Sequence, residues 1–231
     1  MNHYADAAQI PVASLSEDAR AIFIRRTYTH LLGAIAGFIA IEYMFFTTGM
    51  AETILGAMLS VPWFVIIIGF IGVSWVAQGM ADRAQSYTAQ YAGLLLFVVV
   101  EAIFFVPLLW MAEQQAAGII QNAAIVTGLA FTGLTIFAFT SKKDFSFLRG
   151  IINMGFMLAM GAIVAGMLFG FQLGLFFDVA MVGLACGSIL YNTSGVLRTY
   201  PESRYVGAAL SLFAGVALLF WYVLRIFMSR D

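Results

Sequence analysis

Long apolar runs separated by short polar breaks dominate the sequence. Five stretches carry no charged residue: 53–81, 114–141, 150–177, 179–197 and 205–224. Each reaches the ~18 residues of a transmembrane candidate, given a hydrocarbon core of about 30 Å and a helical rise of 1.5 Å per residue. Two further runs, around 29–48 and 89–111, are each interrupted by one acid, Glu42 and Glu101. A single carboxyl in an otherwise apolar run is tolerated when it faces other helices, so both are read as spans. The runs are long and lack alternating polarity, which indicates helices rather than a barrel. The predicted fold is an all-α membrane protein with seven transmembrane helices, at about 29–48, 60–80, 89–111, 119–140, 145–169, 175–197 and 205–228. Residues 1–28 form an N-terminal tail and amphipathic lead-in, and 29–231 a single transmembrane domain.

The breaks carry boundary signals. Ser60 followed by Pro62 suits the first turn of the second span, where the missing proline N–H does no harm. Ser14-x-x-Glu17 reads as a capping box that opens the lead-in, and Asp144 stands where it could cap the fifth span. Small-x-x-x-small steps at Gly33/Gly37, Gly166/Gly170 and Gly183/Gly187 permit close helix packing in lipid. The loops are short, so no extramembrane domain is expected. The first ~25 residues are too polar for a signal peptide, and the first span is expected to be retained.

Composition agrees. The 231 residues are 62% hydrophobic and 10% charged, against roughly 45–50% and about 25% in a soluble domain. A net charge of −1 offers no basic excess to hold nucleic acid. The one cysteine, Cys186, rules out an intramolecular disulfide and a cysteine-based metal cluster. With seven alternating spans, one face collects Arg20, Arg25, Arg26, Arg83, Lys142, Lys143, Arg149, Arg198 and Arg204, and the other only Arg225 and Arg230. Positive-inside then puts the N-terminus in the cytoplasm and the C-terminus outside.

Catalytic constellations are missing. The two histidines are His3 in the tail and His30 at the mouth of the first span, and neither H-E-x-x-H nor G-x-S-x-G occurs. No lysine lies inside a span to carry a retinal Schiff base, and neither a Walker loop nor G-x-G-x-x-G is present. An enzyme is not expected, nor a cofactor or resident metal. Glu101, near the middle of the third span, is the most informative residue. An unpartnered ionised carboxyl there costs several kcal/mol. It is either a proton-responsive or ion-contacting group lining a polar cavity, or a neutral carboxyl hydrogen-bonded across helices. Glu42 lies nearer the outer end of its span, within reach of the interface. Asn153 and the polar step Asn192-Thr193-Ser194 are further candidates for an ion path, or simply interhelical hydrogen-bonding groups. The basic loop around Lys142, Lys143 and Asp144 could contact anionic headgroups at about 1 kcal/mol per basic residue, or serve only to fix topology.

Four motifs, taken together, resemble the Bax inhibitor-1/YccA family of seven-helix membrane proteins, especially its bacterial branch. They are Phe23-Ile24-Arg25-Arg26-Thr27-Tyr28, Thr140-Ser141-Lys142-Lys143-Asp144-Phe145-Ser146-Phe147, Ile189-Leu190-Tyr191-Asn192-Thr193-Ser194, and Tyr205-Val206-Gly207-Ala208-Ala209-Leu210-Ser211-Leu212-Phe213. The likeness runs from about residue 20 to the end. Glu101 also resembles an acid some bacterial members carry in the third helix, although Ala102 replaces the glycine usual after it.

The resemblance implies a bundle whose seventh helix is enclosed by the other six. It implies two kinds of role. Some members act as pH-sensitive calcium leak channels with paired aspartates in helices six and seven. Others, including the YccA branch, restrain the membrane-anchored ATP-dependent protease FtsH in membrane protein quality control. The positions of the aspartate pair are Asn192 and Gly215 here, so a channel gated by that pair is not expected. The expectation is therefore a non-enzymatic inner-membrane regulator of an FtsH-like AAA protease. The alternative is a cation, calcium or proton leak in which Glu101 titrates.

Overall fold

Helix α1, Glu17–Thr47, follows a short 3-10 turn at Val12–Ser14 in the computed structural model, which describes residues 10–82, 86–141 and 143–229. The remaining helices are α2 (Met50–Leu59), α3 (Trp63–Ala81), α4 (Tyr87–Gln115), α5 (Ile119–Thr140), α6 (Leu148–Phe169), α7 (Gly174–Arg198) and α8 (Tyr205–Met228). Among the described residues, seven helices are long and apolar enough to cross a membrane, all except the ten-residue α2. Their outer faces are apolar as well: Trp75 is 79%, Phe169 79% and Phe176 88% exposed. Apolar surface on both the inside and the outside is the signature of a helix bundle solvated by lipid.

Three local details differ from the sequence reading. Helix α1 is capped by Ser16, whose Oγ accepts from the Ala19 amide at 3.4 Å, while Ser14 closes the preceding 3-10 turn. The lead-in is thus continuous with the first span, giving 31 residues, or about 46 Å of helix. The second span begins close to residue 60, as the Ser60 and Pro62 signal indicated, but Pro62 precedes α3 as its cap instead of lying in its first turn, and the part of the uncharged stretch before it forms a separate helix, α2. At about 15 Å, α2 cannot cross a bilayer. Finally, Asp144 does not cap α6. Its Oδ1 accepts from the Ser146 amide at 2.9 Å, two residues before the helix begins.

The chain forms two compact units. The first contains the residues up to Trp110 together with Val196–Phe213. In it α1, α4 and the first half of α8 run in the same direction. His30 meets Tyr91 and Tyr205, Phe38 meets Phe105 and Phe213, and Phe46 meets Trp110, so residue numbers rise together on all three helices. Parallel first, third and last long helices are what alternating crossings of a membrane require. The tightest approaches are made by two glycines that the small-residue steps did not single out. A Cβ on Gly93 would lie 2.5 Å from the Ala77 carbonyl and 2.8 Å from the Ala81 amide; one on Gly207 would lie 2.8 Å from the Ala81 carbonyl. Ala77 and Ala81 are fully buried as a result, wedging the end of α3 between α4 and α8. Gly33 and Gly183, which the sequence offered for that purpose, face open space. The segment before α1 is also tied down. The Val12 amide donates to the Tyr200 carbonyl at 2.9 Å, and the Val12 side chain is completely buried.

The second unit contains Met111–Gly195 and the chain from Ala214 onward. Its helices are antiparallel neighbours. On α6 and α7, Gly155 lies against Leu184 and Gly187 against Ile152; on α7 and the second half of α8, Ile189 lies against Gly215 and Phe177 against Tyr222. Helix α8 is the most buried element: 67% of its most apolar stretch is buried, against 11–22% in α1, α3, α5, α6 and α7. Its small residues Gly207, Ala208 and Ala209 are what let neighbours approach it.

Candidate functional site

Two buried acids mark the first unit. Glu101, on α4, and Glu42, on α1, are each 7% exposed. Burial of Glu42 differs from the sequence reading, which put it within reach of the interface. Both of its carboxyl oxygens are buried without a hydrogen-bond partner among the described residues. The helices explain both placements. Glu42 follows Phe38 by four residues and precedes Phe45 by three; Glu101 follows Phe97 by four and precedes Phe105 by four. These spacings put each acid on the face that packs inward, where Phe45, Ala102 and Val106 form one core cluster. From His30 to Thr47 of α1, throughout α4, and from Tyr205 to Leu224 of α8, the sequence has no lysine or arginine. Over these stretches the acids therefore have no lysine or arginine to neutralise them.

A polar cluster gathers the first turns of α4 and α8 against the middle of α1. His30 lies 2.7 Å from the Arg26 carbonyl through Nδ1 and 2.9 Å from the Tyr91 hydroxyl through Nε2. The Tyr91 and Tyr205 hydroxyls are 3.2 Å apart, and the Arg26 guanidinium sits 5.5 Å from the centre of the Tyr205 ring. Gln90 is fully buried and donates to the Ser203 carbonyl at 3.0 Å. Near by, at the end of α3, burial pushes the Asp82 carboxyl above its ordinary range, while the Arg204 charge draws it part of the way back.

In the second unit Asn192 and Gly215, where the resemblance implied a pair of aspartates, lie on facing helices and carry no charge. Asn192 is half-buried and donates to Ser188 Oγ at 3.5 Å. A Cβ on Gly215 would meet Ile189 Cγ1 at 3.0 Å. The room a second acid would need is filled by isoleucine. Replacing Gly215 by aspartate is therefore expected to overpack the α7/α8 seam and cost about 1–3 kcal/mol, read as a lower melting temperature in detergent. Adding Ile189→Ala should recover most of that loss. Unchanged melting of Gly215→Asp would contradict the geometry.

Asn153 is exposed on α6. Lys143 and Asp144 are exposed. Lys142 lies outside the described residues, as do Arg83, Arg230 and His3. The loop is nonetheless anchored. Ser194 Oγ accepts from the Phe145 amide at 3.3 Å and lies 3.5 Å from Asp144 Oδ1, so two of the sequence motifs meet here.

The sequence reading missed an ion pair. Arg225 Nε lies 3.2 Å from Asp178 Oδ1, joining the first turns of α7 to the last turn of α8. Asp178 had been read only as the break between two apolar stretches and Arg225 only as a flanking charge. The available signal was that each is the single ionisable acid or base within its span. Among the described residues no group of three or more His, Cys, Asp or Glu side chains could hold a metal ion.

Seven long helices, lipid-facing apolar surfaces and a buried last helix define a multi-pass membrane protein. Residues 20–231 match the family model described as inhibitor of apoptosis-promoting Bax1, and the chain belongs to this Bax inhibitor-1/YccA family. It is similar to Bax inhibitor 1 of Schizosaccharomyces pombe, at 28% identity over 222 residues covering 94% of this chain and 79% of the relative. It is also similar to the modulator of FtsH protease YccA of Escherichia coli K12, at 27% identity over 215 residues covering 90% of this chain and 91% of the relative. An uncharacterized membrane protein of Vibrio cholerae is 31% identical over 166 residues, covering 70% of this chain and 72% of the relative.

Proposed function

We propose that this protein is a non-enzymatic regulator of a membrane-anchored, FtsH-like ATP-dependent protease, acting in membrane protein quality control. It would sit in a bacterial inner membrane with its N-terminus in the cytoplasm. The observation that carries this reading is the near full-length likeness to a relative named as a modulator of FtsH protease. The absence of a carboxyl at Asn192 and Gly215 supports it, because neither position can titrate. The test is co-purification from native membranes together with the turnover of membrane substrates in a deletion strain. The expected results are retention of the protease and a changed substrate half-life. Unchanged turnover with no co-purification would contradict the proposal.

A second reading, a pH-sensitive cation or calcium leak, is favoured by one specific observation: two buried acids, Glu42 and Glu101, in helical stretches that carry no lysine or arginine. Intramembrane acids are costly and mark ion or proton sites by default. In this reading flux of calcium into dye-loaded liposomes rises with the purified protein and falls in Glu101→Gln.

A further inference from the structure

Beyond the polar cluster of the first unit lies a layer of aromatic rings. Phe38 of α1 packs edge-on against Phe105 of α4 at 5.1 Å between ring centres and against Phe213 of α8 at 6.1 Å. Phe97 of α4 meets Phe213 at 6.0 Å. Phe97, Phe105 and Phe213 are at most 3% exposed. Phe38 comes eight residues after His30, Phe213 eight after Tyr205, and Phe97 six after Tyr91. That places these three rings about 9–12 Å deeper than the polar cluster. Glu101 lies one turn past Phe97 and one turn before Phe105, within the layer, and Glu42 one turn past Phe38.

We propose that this three-helix seam is a proton half-path closed by a phenylalanine barrier, with the His30–Tyr91–Tyr205 chain as its mouth, Glu101 as the acid within the barrier past Phe97 and Phe213, and Glu42 as the acid one turn past Phe38. The proposal rests on the leak reading above and adds to it a barrier and an entrance.

The mouth has the right chemistry. The Arg26 carbonyl can only accept, so His30 Nδ1 carries a hydrogen and donates to it, leaving Nε2 of the neutral ring to accept from the Tyr91 hydroxyl. Tyr91 can accept in turn from Tyr205. His30 and Tyr91 each both donate and accept, which is what relaying a proton by successive turnover of hydrogen bonds demands. Tyr91 is 43% exposed, so the chain opens near the start of α4. Behind it, the rings offer no donor or acceptor, and a dry apolar constriction stops a water chain without any charge. Apolar packing alone would account for the rings. It does not account for a costly acid among them, a second one a turn past Phe38, and a hydrogen-bonded chain in front.

The experiment uses the full-length protein in liposomes holding a pH-sensitive dye, with an imposed potassium diffusion potential. Phe213→Ala and Phe38→Ala are each expected to raise proton leak about tenfold over wild type, the effect of taking about 1.4 kcal/mol off the barrier. Phe213→Ala combined with Glu101→Gln should return to the wild-type rate, and Phe176→Ala, on the outer surface of α7, should leak like wild type. A monodisperse Phe213→Ala or Phe38→Ala protein no leakier than wild type would overturn the barrier, as would leak through Phe213→Ala that survives Glu101→Gln. Calcium dye in parallel vesicles separates the two levels of the argument. If wild type carries calcium while Phe213→Ala leaks no additional protons, the barrier fails and the leak reading stands. If every variant is as tight to both ions as protein-free vesicles, both fail.

Discussion

Replacing Gly93 by valine is expected to cost about 3 kcal/mol or more, enough to leave much of the protein unfolded or aggregated in detergent. The side chain would enter backbone rather than another side chain. Its Cβ alone falls 2.5 Å from the Ala77 carbonyl and 2.8 Å from the Ala81 amide. No rotamer relieves such a contact, so α4 and the end of α3 must move apart. That motion also loosens α8, because the Ala81 carbonyl is the atom Gly207 approaches from the other side. Valine is a better helix former than glycine by some tenths of a kcal/mol, too little to offset the clash. Gly33→Val is the control: nothing lies within 4 Å of its Cβ, and the change should stay within about 0.5 kcal/mol of wild type. Thermal unfolding followed by size-exclusion chromatography distinguishes them. Equal melting of the two variants would show that α3 and α4 are not in contact as described.

The second large effect concerns the Asp178–Arg225 pair and is asymmetric. Arg225→Leu should cost about 3–5 kcal/mol, because it leaves a carboxylate whose side chain is 4% exposed without its partner. Asp178→Asn should cost only about 1 kcal/mol or less. Arg225 is 36% exposed, sits in the last turn of α8, and has a long stem that can carry its charge to water or headgroups. The double variant Arg225→Leu/Asp178→Leu should recover most of the loss, since two apolar side chains replace a pair that is expensive to bury. Melting temperatures of the three proteins in one detergent decide it. Comparable losses from both single substitutions would mean that Asp178 has another partner or reaches solvent.

Much of the fold was legible from the length of the apolar runs, because a bilayer leaves a chain few alternatives to helices of about 20 residues. What the run lengths could not give was the division of 53–81 into α2 and α3. Composition is uniform across Pro62, and only the missing N–H marks the break. Nor could they say which glycines are contacts. Gly33 and Gly93 look alike in sequence, and only the direction from which another helix arrives separates them. The acids show the same boundary. Glu101 was recognisable as buried because it lies mid-run, whereas Glu42, near an end, depended on which face of α1 packs inward. The Asp178–Arg225 pair and the His30–Tyr91–Tyr205 chain join residues 47, 61 and 114 positions apart, and no local pattern announces them.

The seven-span account depends most directly on where the two ends lie. Helices α1, α4 and the first half of α8 run in one direction, and the proposed topology puts the ends of the chain on opposite sides of the membrane. Fusing a reporter that is active only outside the cytoplasm to each terminus in turn measures this. The account predicts activity from the C-terminal fusion and silence from the N-terminal one; activity from both, or from neither, would contradict it.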